Sequence, residues 1–405
     1  MRSSTSNSDF ENEFQTLNSS NRLKVSAAAI VGIFLVFTTV IISYSQFAKT
    51  LVANDRAKGM IDNLSVVVEQ DQGKKKVLFF GSSTVEAGFE PHRFDNALLA
   101  QGEDVISYNY GVPNLNPEYQ ALIARRIRSS FEGADEQLAL TLIEFNPFQT
   151  TKTRKLLGDA KRDQSQAVLM SVDELLEVTL RDPGRGLQLL TIRFLRGGLS
   201  AELLTSEIAE ELVKSPSLSA ELERARQSRY ESLQLFLATL PENSDYFGDE
   251  AWDRSLRGGR ADKGKLSDDS LVALNSYSSS YRHSELMRND LQRRVVQGDI
   301  LDLDFHEELI LAFIEMVNTL SSVSDQIEIL LMPRNTQWIS YTPEVQNKLE
   351  ELMQRISDAT GVNVRNWQDD SRITPEDFTD TTHLSFTTGI DRFTDLLVEE
   401  YGERL

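Results

Sequence analysis

Val77-Leu78-Phe79-Phe80-Gly81-Ser82-Ser83-Thr84 is an apolar run that breaks abruptly into small hydroxyl residues. Four successive large apolar side chains, without polar alternation, read as a buried strand, and the small residues read as the turn that leaves the sheet edge. Similar apolar or β-branched runs follow at Val105–Tyr110, Leu138–Phe145, Ile327–Met332 and Val362–Val364. Helical periodicity separates them, as in Glu118–Phe131, Glu307–Leu320 and a last segment with Ile390, Phe393, Leu397 and Tyr401 on one face. Strands alternating with helices predict an α/β fold, a mostly parallel five-stranded sheet with helices on both sides. In such a sheet ligands bind at the carboxyl ends of the strands, and Ser83 falls there.

The chain has 405 residues, more than one ordinary domain needs. Residues 1–23 are polar and rich in Ser and Asn, the composition of a disordered tail. From Val25 to Ala48 no residue is charged, and Lys24 and Lys49 bracket the stretch. That length crosses a hydrocarbon core of about 30 Å at about 1.5 Å per residue. A cleaved signal peptide is the alternative, but its apolar core is shorter and a small-x-small site should follow. The reading is therefore a retained signal anchor over 24–48, with the lipid bilayer as its partner. Arg22 and Lys24 on one side nearly balance Lys49, Arg56 and Lys58 on the other. The short polar tail is the easier end to leave in the cytoplasm, which places the large domain in the periplasm or outside the cell. Residues 49–75 read as a stalk, 76–150 and 301–405 as two parts of the α/β domain, and 151–300 as a helical insertion. In the insertion, Ser171-Val172-Asp173-Glu174 has the pattern of a capping box, and Leu204, Ile208 and Leu212 form a stripe.

A formal charge of −20 with no basic patch of useful size argues against nucleic acid as a partner. With no cysteine there are no disulfides and no thiolate metal sites, and His92, His283, His306 and His383 are not spaced as a metal cluster.

The chemistry concentrates in four places. Ser83 follows the first strand. Asn109-Tyr110-Gly111-Val112-Pro113 follows the second, where Gly111 can offer an unhindered N–H to an oxyanion, or simply permit a turn before Pro113. Ile143-Glu144-Phe145-Asn146-Pro147 ends the third, where Asn146 can bring a carboxamide donor to the same edge, or form an Asn-Pro turn. Asp380-Thr381-Thr382-His383 precedes the last helix. A serine hydroxyl needs a base to take its proton, and an imidazole does so best when a carboxylate fixes its tautomer. Asp380, three residues before His383, can do that on a tight loop.

This order of Ser83, Gly111, Asn146 and then Asp380 with His383 resembles the SGNH (GDSL-like) hydrolase superfamily. The likeness covers residues 76–150 and about 320–405. It departs in reading Gly-Ser-Ser rather than Gly-Asp-Ser, in having Glu144 where a glycine is usual, and in Pro147 where an Asp often follows. The departures and the anchor are similar to the membrane-anchored branch that modifies cell-surface polymers, of the alginate-acetylation and teichoic-acid D-alanylation type. The resemblance implies a flavodoxin-like three-layer sandwich. It implies Ser83 as nucleophile, His383 as base, Asp380 as its orienting carboxylate, and an oxyanion hole from Ser83, Gly111 and Asn146. It further implies an acyl-serine O-acyltransferase or esterase acting on a polysaccharide, a multi-pass membrane acyltransferase as partner, and no metal or organic cofactor. A non-catalytic assembly protein that keeps the fold to bind polymer or partner is the alternative.

An insertion after the third strand leaves from the edge that carries Ser83, so it is expected to overhang the cleft. Tyr246, Phe247, Trp252, Arg257 and Arg260 combine rings that stack on sugars with cations that suit an anionic polymer. The same Gly- and Asp-rich stretch is also what a solvated loop shows.

Overall fold

The computed structural model describes residues 55–69, 73–195, 220–240, 266–298 and 300–405, together with Gly32 and Val36. The expected tail, and all of the expected anchor but those two residues, lie outside this set. So do the Leu204/Ile208/Leu212 stripe and the loop carrying Tyr246, Phe247, Trp252, Arg257 and Arg260. No helix among the described residues is long and apolar enough to cross a membrane.

Five strands, β1 (Lys75–Gly81), β2 (Val105–Gly111), β3 (Leu140–Glu144), β4 (Ile327–Leu331) and β5 (Val364–Asn366), form one sheet in the order β2-β1-β3-β4-β5. Every pairing is parallel, with Gly81 opposite Gly111, Phe80 opposite Ile143 and Glu144 opposite Leu330. Each strand differs from its expected range at one end or both, by one or two residues. Leu138 makes only an isolated bridge to Ser324, so β3 starts later, and β5 is displaced to Val364–Asn366.

There are fourteen α-helices among the described residues. They are α1 (Asp55–Asp62), α2 (Leu64–Glu69), α3 (Ser83–Glu86), α4 (Pro91–Gln101), α5 (Pro117–Ala134), α6 (Lys152–Leu169) and α7 (Val172–Arg181), then α8 (Pro183–Leu195), α9 (Ala220–Thr239), α10 (Asp268–Ser280), α11 (Ser284–Gly298), α12 (Glu307–Ser321), α13 (Pro343–Thr360) and α14 (Gly389–Tyr401). Period-two alternation along β1 sends Leu78 and Phe80 into one core, with residues of α5, α12 and α13, and Val77 and Phe79 into another, with α4 and α14. Both sheet faces are therefore covered, which is why the strands read as unbroken apolar runs.

The 49–75 stretch is not a free stalk throughout. Ala57, Met60, Leu64, Val67 and Val68 of α1 and α2 are buried in the core that contains α5. The insertion starts and ends at a narrow neck, where Thr151 bridges Phe305, Lys152 N–H donates to Asp304 O (2.8 Å) and His306 N–H donates to Thr150 O (2.8 Å). Inside it, the capping box at Ser171 and Glu174 opens α7 as its sequence predicts. Buried Lys155 on α6 meets Glu118, Asp159 and Glu308, tying the insertion to α5 and α12.

The connection leaving β1 runs to β2 at one edge, and that leaving β3 runs toward β4 on the other side. The carboxyl ends of β1 and β3 thus flank the point where the winding reverses, the usual place for a cleft in an open parallel sheet.

Candidate active site

Gly81 ends β1 and Ser82 caps the one-turn helix α3, accepting from Thr84 N–H, so Ser83 is presented as the first helical residue. Its Oγ lies 2.7 Å from His383 Nε2, and His383 Nδ1 lies 2.7 Å from Asp380 Oδ2. Asp380 Oδ1 accepts from the backbone N–H of Thr382 and of His383, each at 2.8 Å, which folds Asp-x-x-His into a tight turn under the imidazole. Thr379 N–H to His383 O (2.9 Å) and Asn335 Nδ2 to Asp380 O (3.2 Å) fix that turn. Ser82, Ser83 and Thr84 all carry hydroxyls, but Ser82 Oγ is buried against Thr84 Oγ1 (2.9 Å) and Asn146 Nδ2 (3.0 Å). Only Ser83 is paired with the imidazole.

Burial alone would raise the pKa of Asp380. The charges of His383 and Arg294, with hydrogen bonds from His383 and Thr382, reverse this and hold the carboxyl well below the usual carboxylate range. Arg294, with Asp290 beside it, is a member of this cluster that the sequence reading missed. Its Nη2 lies 3.3 Å from Asp380 Oδ2 and 3.1 Å from His383 Nδ1, and its Nε donates to Asp290 Oδ2 at 2.8 Å. Asp290 also receives the Thr381 hydroxyl and backbone N–H. Helix α11 of the insertion therefore grips the Asp380–His383 turn with two side chains.

Glu144, a departure from the pattern of the resembled family, is buried beneath the Ser82–Thr84 turn. Ser82 N–H donates to its Oε2 at 2.6 Å, and the Thr84 hydroxyl donates to Oε1. Burial pushes the Glu144 carboxyl up despite these donors. A Cβ on Gly81 would stand 2.5 Å from Glu144 Oε2, so the glycine before the turn makes room for the glutamate after β3.

Asn146 stands at the cleft as expected. Its Oδ1 accepts from Phe148 N–H (3.0 Å), and its Nδ2 donates to Ser82 Oγ (3.0 Å) and faces Thr84 Oγ1 (3.4 Å). Gly111 does not take its expected place. Its N–H is spent on Asn109 Oδ1 at 3.0 Å, while Asn109 Nδ2 donates to Val85 O and Phe89 O at the far end of α3. Glycine is required there for close packing, because a Cβ would lie 2.1 Å from Glu86 N and 2.8 Å from Ser82 O. The cavity wall is formed instead by Pro113 and Asn114, and Asn114 adopts φ 61°. Neither the Asn114 nor the Ser83 N–H has an acceptor among the described residues.

The cavity at Ser83 measures about 370 Å³. The insertion does reach the cleft, but through Tyr281 and helix α11, whose Arg293, Arg294 and Gln297 line it with Arg154 of α6. Phe148, Tyr281 and Phe386 give it aromatic surface. Tyr246, Phe247, Trp252, Arg257 and Arg260 lie outside the described residues. No protein-family model and no curated protein matches the chain.

Proposed function

We propose that this chain is an SGNH-type serine enzyme, a membrane-anchored extracytoplasmic O-acyltransferase or esterase that works through an acyl-Ser83 intermediate on a polysaccharide. The observation that carries the reading is the unbroken chain from Ser83 Oγ through His383 to Asp380, with both contacts at 2.7 Å. A contact of that length is within reach for proton transfer.

In this reading His383 Nε2 takes the Ser83 proton as Oγ attacks the carbonyl carbon of an ester. The negative charge passes to the carbonyl oxygen, where the Ser83 and Asn114 N–H groups supply donors and Asn146 lines the same wall. His383 returns the proton to the departing alkoxide, leaving acyl-Ser83. A sugar hydroxyl or water then gives its proton to His383 and attacks the acyl carbon, and the collapse expels Ser83 Oγ, which takes that proton back from His383. Asp380 stays ionised throughout, kept so by Arg294 and two backbone donors. The anchor at Val25–Ala48 and a multi-pass membrane acyltransferase as acyl donor belong to the same proposal; the charge-free sequence span supports the first, and the second follows from the resemblance.

The test is turnover of 4-nitrophenyl acetate by the full chain and by Ser83→Ala, with fluorophosphonate labelling as a second readout. Loss of a nucleophile costs several orders of magnitude. If Ser83→Ala keeps more than about a tenth of the wild-type rate, Ser83 is not the nucleophile. A wild-type protein that neither turns over ester nor takes the label is the non-catalytic binding protein instead.

A further inference from the structure

We propose that the cavity beside Ser83 contains an oxyanion subsite centred on Arg154, which receives a carboxylate or phosphate group carried by the substrate. The inference rests on the serine-enzyme reading above and names a substrate class for it.

Arg154 lies in the first turn of α6, half-buried, on the wall it shares with Ser83, Asn146 and His383. Its Nε donates to the buried Gln149 Oε1 at 2.9 Å, which fixes the plane of the guanidinium. Its terminal nitrogens make no hydrogen bond, and no carboxylate pairs with it, among the described residues. The other two cavity arginines are compensated: Arg294 meets Asp290 and Asp380, and Arg293 meets Asp290 at 2.8 Å. Arg154 instead has these two cations as its electrostatic neighbours. Burial, then Arg294 and Arg293, lower its pKa to about 10, which still leaves it charged at neutral pH.

A half-buried charge without a counter-ion is unfavourable, and a planar guanidinium with free terminal N–H groups is matched by a bidentate oxyanion. The cavity also holds two carboxylates, Glu86 and Asp380. Asp380 has both oxygens engaged by His383, Arg294 and backbone donors. The overall charge of −20 repels anions in general. A preference for an anionic ligand would therefore have to arise locally.

The experiment is calorimetric titration of the full-length protein, at fixed ionic strength, with three probes. Methyl glucuronoside carries a carboxylate, glucose 6-phosphate carries a phosphate, and methyl glucoside carries neither. At least one anionic probe is expected to bind about tenfold more tightly than the neutral one, and the tighter of the two identifies the oxyanion. Arg154→Gln should remove that preference, and Arg154→Lys, which keeps charge but not the fork, should restore part of it. Circular dichroism establishes that each variant is folded. Equal binding of all three probes by wild type, or a preference that survives Arg154→Gln, overturns the subsite. Binding needs no turnover, so an inert protein that still prefers anions contradicts only the enzyme reading. Ester turnover without anion preference contradicts only the subsite.

Discussion

Arg294 Nη2 lies 3.3 Å from Asp380 Oδ2, which places a helix of the insertion in contact with the carboxylate that orients the imidazole. Asp290, one turn earlier on α11, holds Thr381 of the same turn. The insertion is thus part of how Asp380 and His383 are positioned.

Replacing Arg294 with Met should lower kcat for 4-nitrophenyl acetate by about 10- to 100-fold with a smaller change in KM, since the small ester does not need the arginine for binding. Arg294→Lys should recover part of the loss, because it keeps the charge near Asp380 without the two-pronged reach to Asp290. An unchanged kcat in Arg294→Met would show that Asp380 and the backbone donors alone hold the imidazole.

Gly111→Ala should be more damaging than a glycine substitution usually is. The added Cβ would stand 2.1 Å from Glu86 N and 2.8 Å from Ser82 O, both backbone atoms of the turn that presents Ser83, which no rotamer change can move. Relief requires α3 to shift, and Ser83 shifts with it. We expect a destabilisation of about 1–3 kcal/mol and a drop in kcat/KM of at least about tenfold. Gly133→Ala is the internal control. It lies in the last turn of α5, where a Cβ meets nothing within 4 Å, and it should gain about 0.4–1 kcal/mol. Urea denaturation and ester turnover on both variants check the contrast, and a mild Gly111→Ala would mean that the turn is not confined by β2.

The buried strands and the Ser83, Asp380 and His383 set were legible because each depends on short stretches of sequence: an apolar run, a break into small residues, a four-residue turn. Asn146 was legible because Pro147 keeps it extended at a strand end. Gly111 was read as a donor because sequence shows a glycine at a strand end but not the direction of its N–H. Asn109, two residues earlier, takes that N–H and the far end of α3 together. Arg294 and Asp290 were illegible for another reason. They are an i,i+4 pair that looks like an ordinary surface bridge, and their partners lie 86 and 91 residues away, a separation that no periodicity encodes. Glu144 appeared only as a departure from a pattern, since its purpose depends on the register that sets β3 beside β1.

Asp380 also makes a prediction about stability. Its folded pKa is depressed by His383, Arg294 and the backbone donors against the opposing effect of burial, while an unfolded aspartate titrates near about 3.9. Above about pH 5 the carboxyl is ionised in both states, and the full stabilisation from its partners is present. As the pH falls below about 4, the unfolded chain takes up the proton first, and this contribution shrinks by up to about 1.4 kcal/mol per pH unit. Many other carboxylates titrate in the same range, so the informative quantity is the difference between wild type and Asp380→Asn, which cannot titrate at this position. Urea unfolding at several pH values should show wild type more stable than Asp380→Asn at about pH 5, by a margin that narrows steadily toward about pH 3. A margin that stays constant across the whole range, or widens in acid, would mean that Asp380 is not held ionised by its partners in the folded protein, and the geometry assigned to the His383 base would have to be revised with it.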